Sequence, residues 1–177
     1  YYNYGNPTVI SGNDFSNTIQ GAVINSADGF SLTAPGQTGT NSNTWGNHRD
    51  VVFQYNNSKN IVIDNWDFSS LFINPAGKTA LTLSSMTTST FTNNNFSGGF
   101  THALRINGNN SSNTFNNNNF TETTSWSLYF AGGNNPLNTI TNNDFKNSSY
   151  GLYYNYGNPT VISGNDFSNT IQGAVIN

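Results

Sequence analysis

The chain of 177 residues has room for one domain with a continuous core rather than for two independent ones. With 5 Lys and Arg against 8 Asp and Glu, a net charge of −3, it offers no basic surface to follow a phosphate backbone, which excludes nucleic-acid binding. Cysteine is absent, which removes disulfides and thiolate metal sites, and no apolar run approaches the ~20 residues of a membrane span. By themselves the 35 Asn, 21 Thr and 20 Ser suggest disorder, but 13 Phe, 9 Tyr and 3 Trp, spread singly, argue for a packed core. Scarce Lys beside abundant Asn, Ser and Thr leans towards an extracellular location.

Residues 1–25, YYNYGNPTVISGNDFSNTIQGAVIN, return unchanged as residues 153–177, a displacement of 152. The segment KNSSYGL (146–152) leads into the second copy and has no counterpart before the first. Residue 1 is therefore expected to be an internal position, and the chain a window on a tandem array or a continuing fibre. Inside this period lies a shorter one, an apolar residue followed five positions later by an aromatic. It runs Ile10/Phe15, a degenerate Thr40/Trp45, Ile63/Phe68, Phe91/Phe96, Phe115/Phe120, Ile140/Phe145 and Ile162/Phe167, at steps of 30, 23, 28, 24, 25 and 22. Six units fill one 152-residue period.

A second signature follows the aromatics, two apolar residues flanking one outward position: Ala22/Ile24, Phe53/Tyr55, Leu81/Leu83, Leu104/Ile106, Leu128/Phe130, Leu152/Tyr154 and Ala174/Ile176. Apolar residues at i and i+2 predict strands with one buried face, and no segment carries the 3.6-residue period of a helix. The excess residues 26–39 and 69–78 are predicted to be loops that leave the repeating structure at turns.

Units this short cannot each bury their own face, and stacking solves the problem. The expected fold is all-β, a parallel β-helix (β-solenoid) of about six coils per period plus one repeated coil, in a single domain. Equal positions then align into ladders. One is an aromatic stack of Phe15, Trp45, Phe68, Phe96, Phe120, Phe145 and Phe167. Another is an asparagine ladder of Asn13, Asn43, Asn94, Asn118, Asn143 and Asn165, interrupted at Trp66. Asn tolerates left-handed turn geometry, and its amide both donates to and accepts from the same side chain one coil away.

INGNN, ITNNDF and FTNNNF, with alternating LxI strands, resemble the repeats of right-handed parallel β-helices of the pectin-lyase-like type. The resemblance spans the chain at the level of the repeat and implies fold more than function. It also raises polysaccharide cleavage. Glycoside hydrolysis needs facing carboxylates, yet Glu122 is the only Glu and most Asp fall in separate turns, with Asp67 in the outward column of Asp14, Asp144 and Asp166. Arg105, in LRIN, resembles the basic motif of the pectin hydrolases only loosely, because Asn107 stands where Lys is expected. An enzyme is not expected, nor a cofactor. Asp144 and Asp166, one coil apart, are the sole metal candidates, as a Ca²⁺ bridge; solvation of both is the preferred reading. His48, Arg49 and Asp50 read as a solvated turn, with His102 too far along the chain to pair with His48.

The outward column Gln54, Thr82, Arg105, Tyr129, Tyr153 lies beside the small residues Val52, Ala80, Ala103, Ser127 and Gly151. Arg105, Tyr129 and Tyr153 are thus a candidate contact face on a flat strip, for a neighbouring fibre or a glycan. Outward Thr90/Thr92 and Thr139/Thr141 raise ice binding, but Val9/Ser11, Val62/Asp64 and Thr114/Asn116 break the array. The expected function is structural: a subunit or tandem segment of an extracellular filament or cell-surface fibre, with itself as partner through end-to-end stacking of coils. The alternative is a surface module that binds or cleaves glycans.

Overall fold

The computed structural model describes the backbone of residues 2–3, 14–29 and 51–177, and the side chains of 14–29 and 53–177. Ile10, Asn13, residues 30–50 with Asn43, Trp45 and His48, and the side chain of Val52 lie outside the described residues. The chain is nearly all β, 45% strand against 2% helix, and its parallel sheets stack as a β-solenoid of about five turns.

The strands are β1 (Tyr2–Asn3), β2 (Gln20–Asn25), β3 (Val51–Asn56), β4 (Val62–Asp64), β5 (Thr79–Ser84), β6 (Thr90–Thr92), β7 (His102–Asn107), β8 (Thr114–Asn116), β9 (Trp126–Phe130), β10 (Thr139–Thr141), β11 (Tyr150–Tyr154), β12 (Val161–Ser163) and β13 (Gln172–Ile176). They form an eight-stranded sheet ordered β1-β2-β3-β5-β7-β9-β11-β13 and a five-stranded sheet ordered β12-β10-β8-β6-β4. Every pair is parallel and joins one coil to the next, so Leu81 lies beside Leu104, Leu104 beside Leu128 and Leu128 beside Leu152. Two further corners carry single bridges, one through Asp28, Lys59, Thr87 and Ser111, the other through Asp67, Asn95, Asn119, Asp144 and Asp166.

Sharp corners need left-handed residues. They fall at Asn65, Asn93, Asn117, Asn142 and Gly164, with φ between 55° and 66°. Each is the residue before the ladder position, so the strained geometry assigned from sequence to the ladder asparagine belongs to its neighbour. The ladder side chain is thereby turned inward. The following D/N-F-x segment closes with an Asx turn, in which the side-chain oxygen of Asp14, Asn95, Asn119, Asp144 or Asp166 accepts the N–H two residues on, at 2.9–3.1 Å.

The aromatic that follows each Asx residue points into the core. Phe68, Phe96, Phe120, Phe145 and Phe167 lie in file, with successive ring centroids 4.6, 5.1, 5.1 and 4.8 Å apart and planes within 15° of parallel. Strand spacing sets this separation. A second stack joins Phe91 to Phe115 at 5.0 Å. The small residues Ala80, Ala103, Ser127 and Gly151 are buried, which corrects their placement on an outer strip. Two consecutive residues of each strand are buried there, so the residue before the first apolar one also faces inward. A Cβ on Gly151 would come within 2.7 Å of the Phe167 ring and 2.4 Å of the Gly173 carbonyl oxygen, so the column is small because it packs against the Phe file.

Of the two loops, residues 26–29 stay on the solenoid: Ala27 is buried and Asp28 bridges to Lys59. Residues 69–78 begin with a single 3-10 turn (Ser69–Leu71), and Phe72 then packs edge-on against Phe100 at 4.9 Å, leaving Ile73 exposed.

Candidate functional site

The features that could carry a function are the internal polar ladders, the outward strip of the larger sheet and the open coil formed by residues 161–176. The ladders are built from one bonding unit repeated per coil. Trp66 N–H donates to Asn94 Oδ1 at 3.0 Å. Asn94, through both its N–H and Nδ2, donates to Asn118 Oδ1 at 3.0 Å, and Asn118 does the same to Asn143 Oδ1 at 2.9 Å. Asn143 donates likewise to Asn165 Oδ1, at 2.9 and 3.0 Å. The second Nδ2 hydrogen of Asn94, Asn118, Asn143 and Asn165 goes to the carbonyl of Ile63, Phe91, Phe115 and Ile140 at 2.9–3.0 Å. Asn94, Asn118 and Asn143 are at most 2% exposed, so each bond replaces water that the interior excludes.

A second ladder went unread in the sequence. Ile61 N–H donates to Ser89 Oγ, Ser89 N–H to Asn113 Oδ1 and Asn113 N–H to Asn138 Oδ1, at 2.9–3.0 Å. Its signal was there, a Ser or Asn two residues before Phe91, Phe115 and Ile140. Asn138 Nδ2 also donates to the buried Tyr154 hydroxyl at 3.0 Å, and that hydroxyl donates to the Asn135 carbonyl. Tyr55 is the contrasting case: its buried hydroxyl has no partner, and burial pushes its ionisation far up.

On the outside, Arg105, Tyr129 and Tyr153 share one column of the larger sheet. Their neighbour column holds His102, Trp126 and Tyr150 in place of the small residues read from sequence. His102 stacks on Tyr129 at 4.8 Å and Trp126 on Tyr150 at 4.9 Å, while Tyr153 touches both Trp126 and Tyr129 at 5.2 and 5.4 Å. His102 Nδ1–H donates to the Trp126 carbonyl at 2.9 Å, and partial burial depresses the imidazole's pKa. Arg105 is exposed; its Nε donates to Asn107 at 3.3 Å, and it forms no ion pair among the described residues.

Asp144 and Asp166 come together, and Lys146 comes with them. Its Nζ lies 2.8 Å from Asp144 and 3.9 Å from Asp166, so an ammonium occupies the place a bridging cation would take. Asp144 raises the Lys146 pKa, and the Ser168 N–H lowers that of Asp166. No group of three or more His, Cys, Asp or Glu able to hold a metal occurs among the described residues. Asp64, on the smaller sheet, accepts from Thr92 and Asn93 at 2.6 and 2.8 Å, while Thr141 donates to Asn116 at 2.9 Å. These side chains are tied to neighbours instead of forming a free hydroxyl array. An open hollow of about 600 Å³ is lined by Gly133, Asn134, Tyr156 and Gly157. No helix among the described residues is long and apolar enough to cross a membrane.

The decisive geometry lies in the duplicated segment. β2 and β13 have the same sequence over Gln20–Ile24 and Gln172–Ile176. β2 is paired on both sides, by β1 and by β3, whereas among the described residues β13 is paired by β11 alone. Tyr2 lies beside Ile24 just as Tyr154 lies beside Ile176, so the repeated strand is paired in the same register both times. Covered by β3, Ile24 is 2% exposed; Ile176 is 52% exposed. No family model, curated protein or solved structure matches the chain.

Proposed function

We propose that the chain is a structural segment of an extracellular β-solenoid filament or cell-surface fibre that grows by stacking coil upon coil. The observation that carries the reading is the pair of identical strands, β2 covered and β13 open. Whatever pairs with β2 through the register Ala22 to Phe53 and Ile24 to Tyr55 has the same complement in Ala174 and Ile176. The ladder supports it too, since Asn165 spends one Nδ2 hydrogen on the Ile140 carbonyl as Asn143 does on that of Phe115, and its N–H and other Nδ2 hydrogen are the groups through which Asn143 reaches the next coil. Continuation would extend the backbone hydrogen bonds, the Phe file and the asparagine ladder through each junction without new chemistry. Ladders of neutral side chains suit this, because a charge repeated in every coil would repel itself along the whole fibre. The resemblance of the repeats to pectin-lyase-like β-helices is one of architecture, and the partner proposed at each end is another repeat of the same sequence.

Six coils at ~4.8 Å give an axial period of about 29 Å. Fibre diffraction or the power spectrum of electron micrographs should show both spacings; particles one solenoid long with neither spacing would reject the filament.

A further inference from the structure

The aromatic strip on the larger sheet has no role in axial growth. We infer that it is a lateral docking face for a second copy of this chain, so that solenoids pair side by side. Recurrence of the strip along a fibre rests on the tandem reading above; the strip itself does not. Five rings, His102, Tyr129, Tyr153, Trp126 and Tyr150, form one connected cluster over β7, β9 and β11, with Arg105 exposed at its edge. All five are half-buried on a face whose other positions in these columns carry no ring: Gln54, Thr79 and Thr82 below them, and Gln172 and Val175 above.

Ring orientation selects the occupant. His102 and Tyr129 lie within 20° of parallel and Trp126 and Tyr150 within 30°, at separations close to the strand spacing. The faces of these two pairs are turned to one another along the axis, while Tyr153 is inclined at 59° to Trp126 and 58° to Tyr129. A saccharide would need an open ring face, whereas ring edges, hydroxyls and the indole N–H on a flat sheet are what another sheet packs against. Arg105 is the only charge in these two columns among the described residues, so two such faces meet without opposing rows of like charge.

Area then sets when pairing occurs. Four Tyr and Trp side chains present 150–250 Å² each, roughly half already covered, which leaves about 300–500 Å² per face. A stable interface needs about 800 Å² per partner. One strip falls short. A tandem array repeats the strip on the same side about every 29 Å, since 152 residues make whole coils, and two or more strips engage together with the gain of an intramolecular second contact.

The test compares the 177-residue chain with one extended by two further 152-residue periods, by small-angle scattering and electron microscopy. Short chains that are not stacked end to end should be one solenoid wide, and the extended chain should show twice the mass per length of a single solenoid. Tyr129→Lys with Tyr153→Lys, both outward positions, should restore single width with an unchanged circular dichroism spectrum and axial repeat. Single width in the unsubstituted extended chain, or double width in the variant, overturns the proposal. So does retention of a single-width array on insoluble cellulose or chitin that the variant loses, which would assign the strip to a saccharide. The extended chain joins its periods covalently, so width is readable even where end-to-end growth fails.

Discussion

Asn118 shows what a single residue contributes. Its Oδ1 accepts two hydrogens from Asn94, and its amide serves both Asn143 and the Phe91 carbonyl, all in the interior. Asn118→Leu would keep the volume and strand three buried polar groups, at roughly 1–3 kcal/mol each. We expect a stability loss of about 3–9 kcal/mol in urea unfolding; a loss under about 1 kcal/mol would show that the ladder is dispensable. Gly151→Ala tests the packing that places small residues against the Phe file. The added methyl meets the Phe167 ring and the Gly173 carbonyl, and overpacking of this kind costs about 1–3 kcal/mol, read as a lower melting temperature.

At the scale of the strand, one substitution made in two identical elements separates folding from assembly. In a parallel ladder successive N–H groups point to alternate sides. Asn177 N–H donates back to Tyr154, and Ser26 N–H donates forward to Asn56, so the even-numbered N–H groups of β2 and β13 face the next coil. Ala174→Pro removes a donor from the open side of β13 and is tolerated there as on any edge. The 177-residue chain should fold with little change in melting temperature and lose the ability to form long particles in electron micrographs. Ala22→Pro deletes the same donor where β3 occupies the position, and should lower the melting temperature markedly.

At the scale of the molecule, the titratable groups define a pH window. His102 titrates below 6.5 in the folded state, so the unfolded chain binds more protons once pH falls below that value, and stability drops. Asp14, Asp28 and Asp166, lowered from 3.8 by hydrogen bonds from Ser16, Asn60 and Ser168, extend the acid loss; their stabilisation is present above 3.8 and disappears as pH falls through the depressed values. On the alkaline side Tyr55 and Tyr154 hold their protons above 10.0 because they are buried, while Lys146 holds its proton above 10.5 beside Asp144. Their unfolded forms release protons first, so stability falls again above about pH 10. Thermal melts across pH should trace a plateau from about 6.5 to 10; a melting temperature that still rises between pH 10 and 11 would contradict it.

The sequence alone determined the repeat. A 25-residue identity at a displacement of 152, aromatics five residues beyond an apolar position and apolar pairs at i and i+2 suffice for stacked parallel coils, because stacking buries one face of every short strand. Which columns point inward was decided by tertiary structure. Ala80, Ala103, Ser127 and Gly151 read as outward by simple alternation, but two consecutive residues of each strand are buried against the core, and His102, Trp126 and Tyr150 lie at the surface instead. The period-2 rule holds only while a strand runs straight. Likewise the sequence brought Asp144 and Asp166 within a coil of each other, and only the fold placed Lys146 between them, since a side chain's reach across a turn depends on the turn's direction, which residue spacing does not encode.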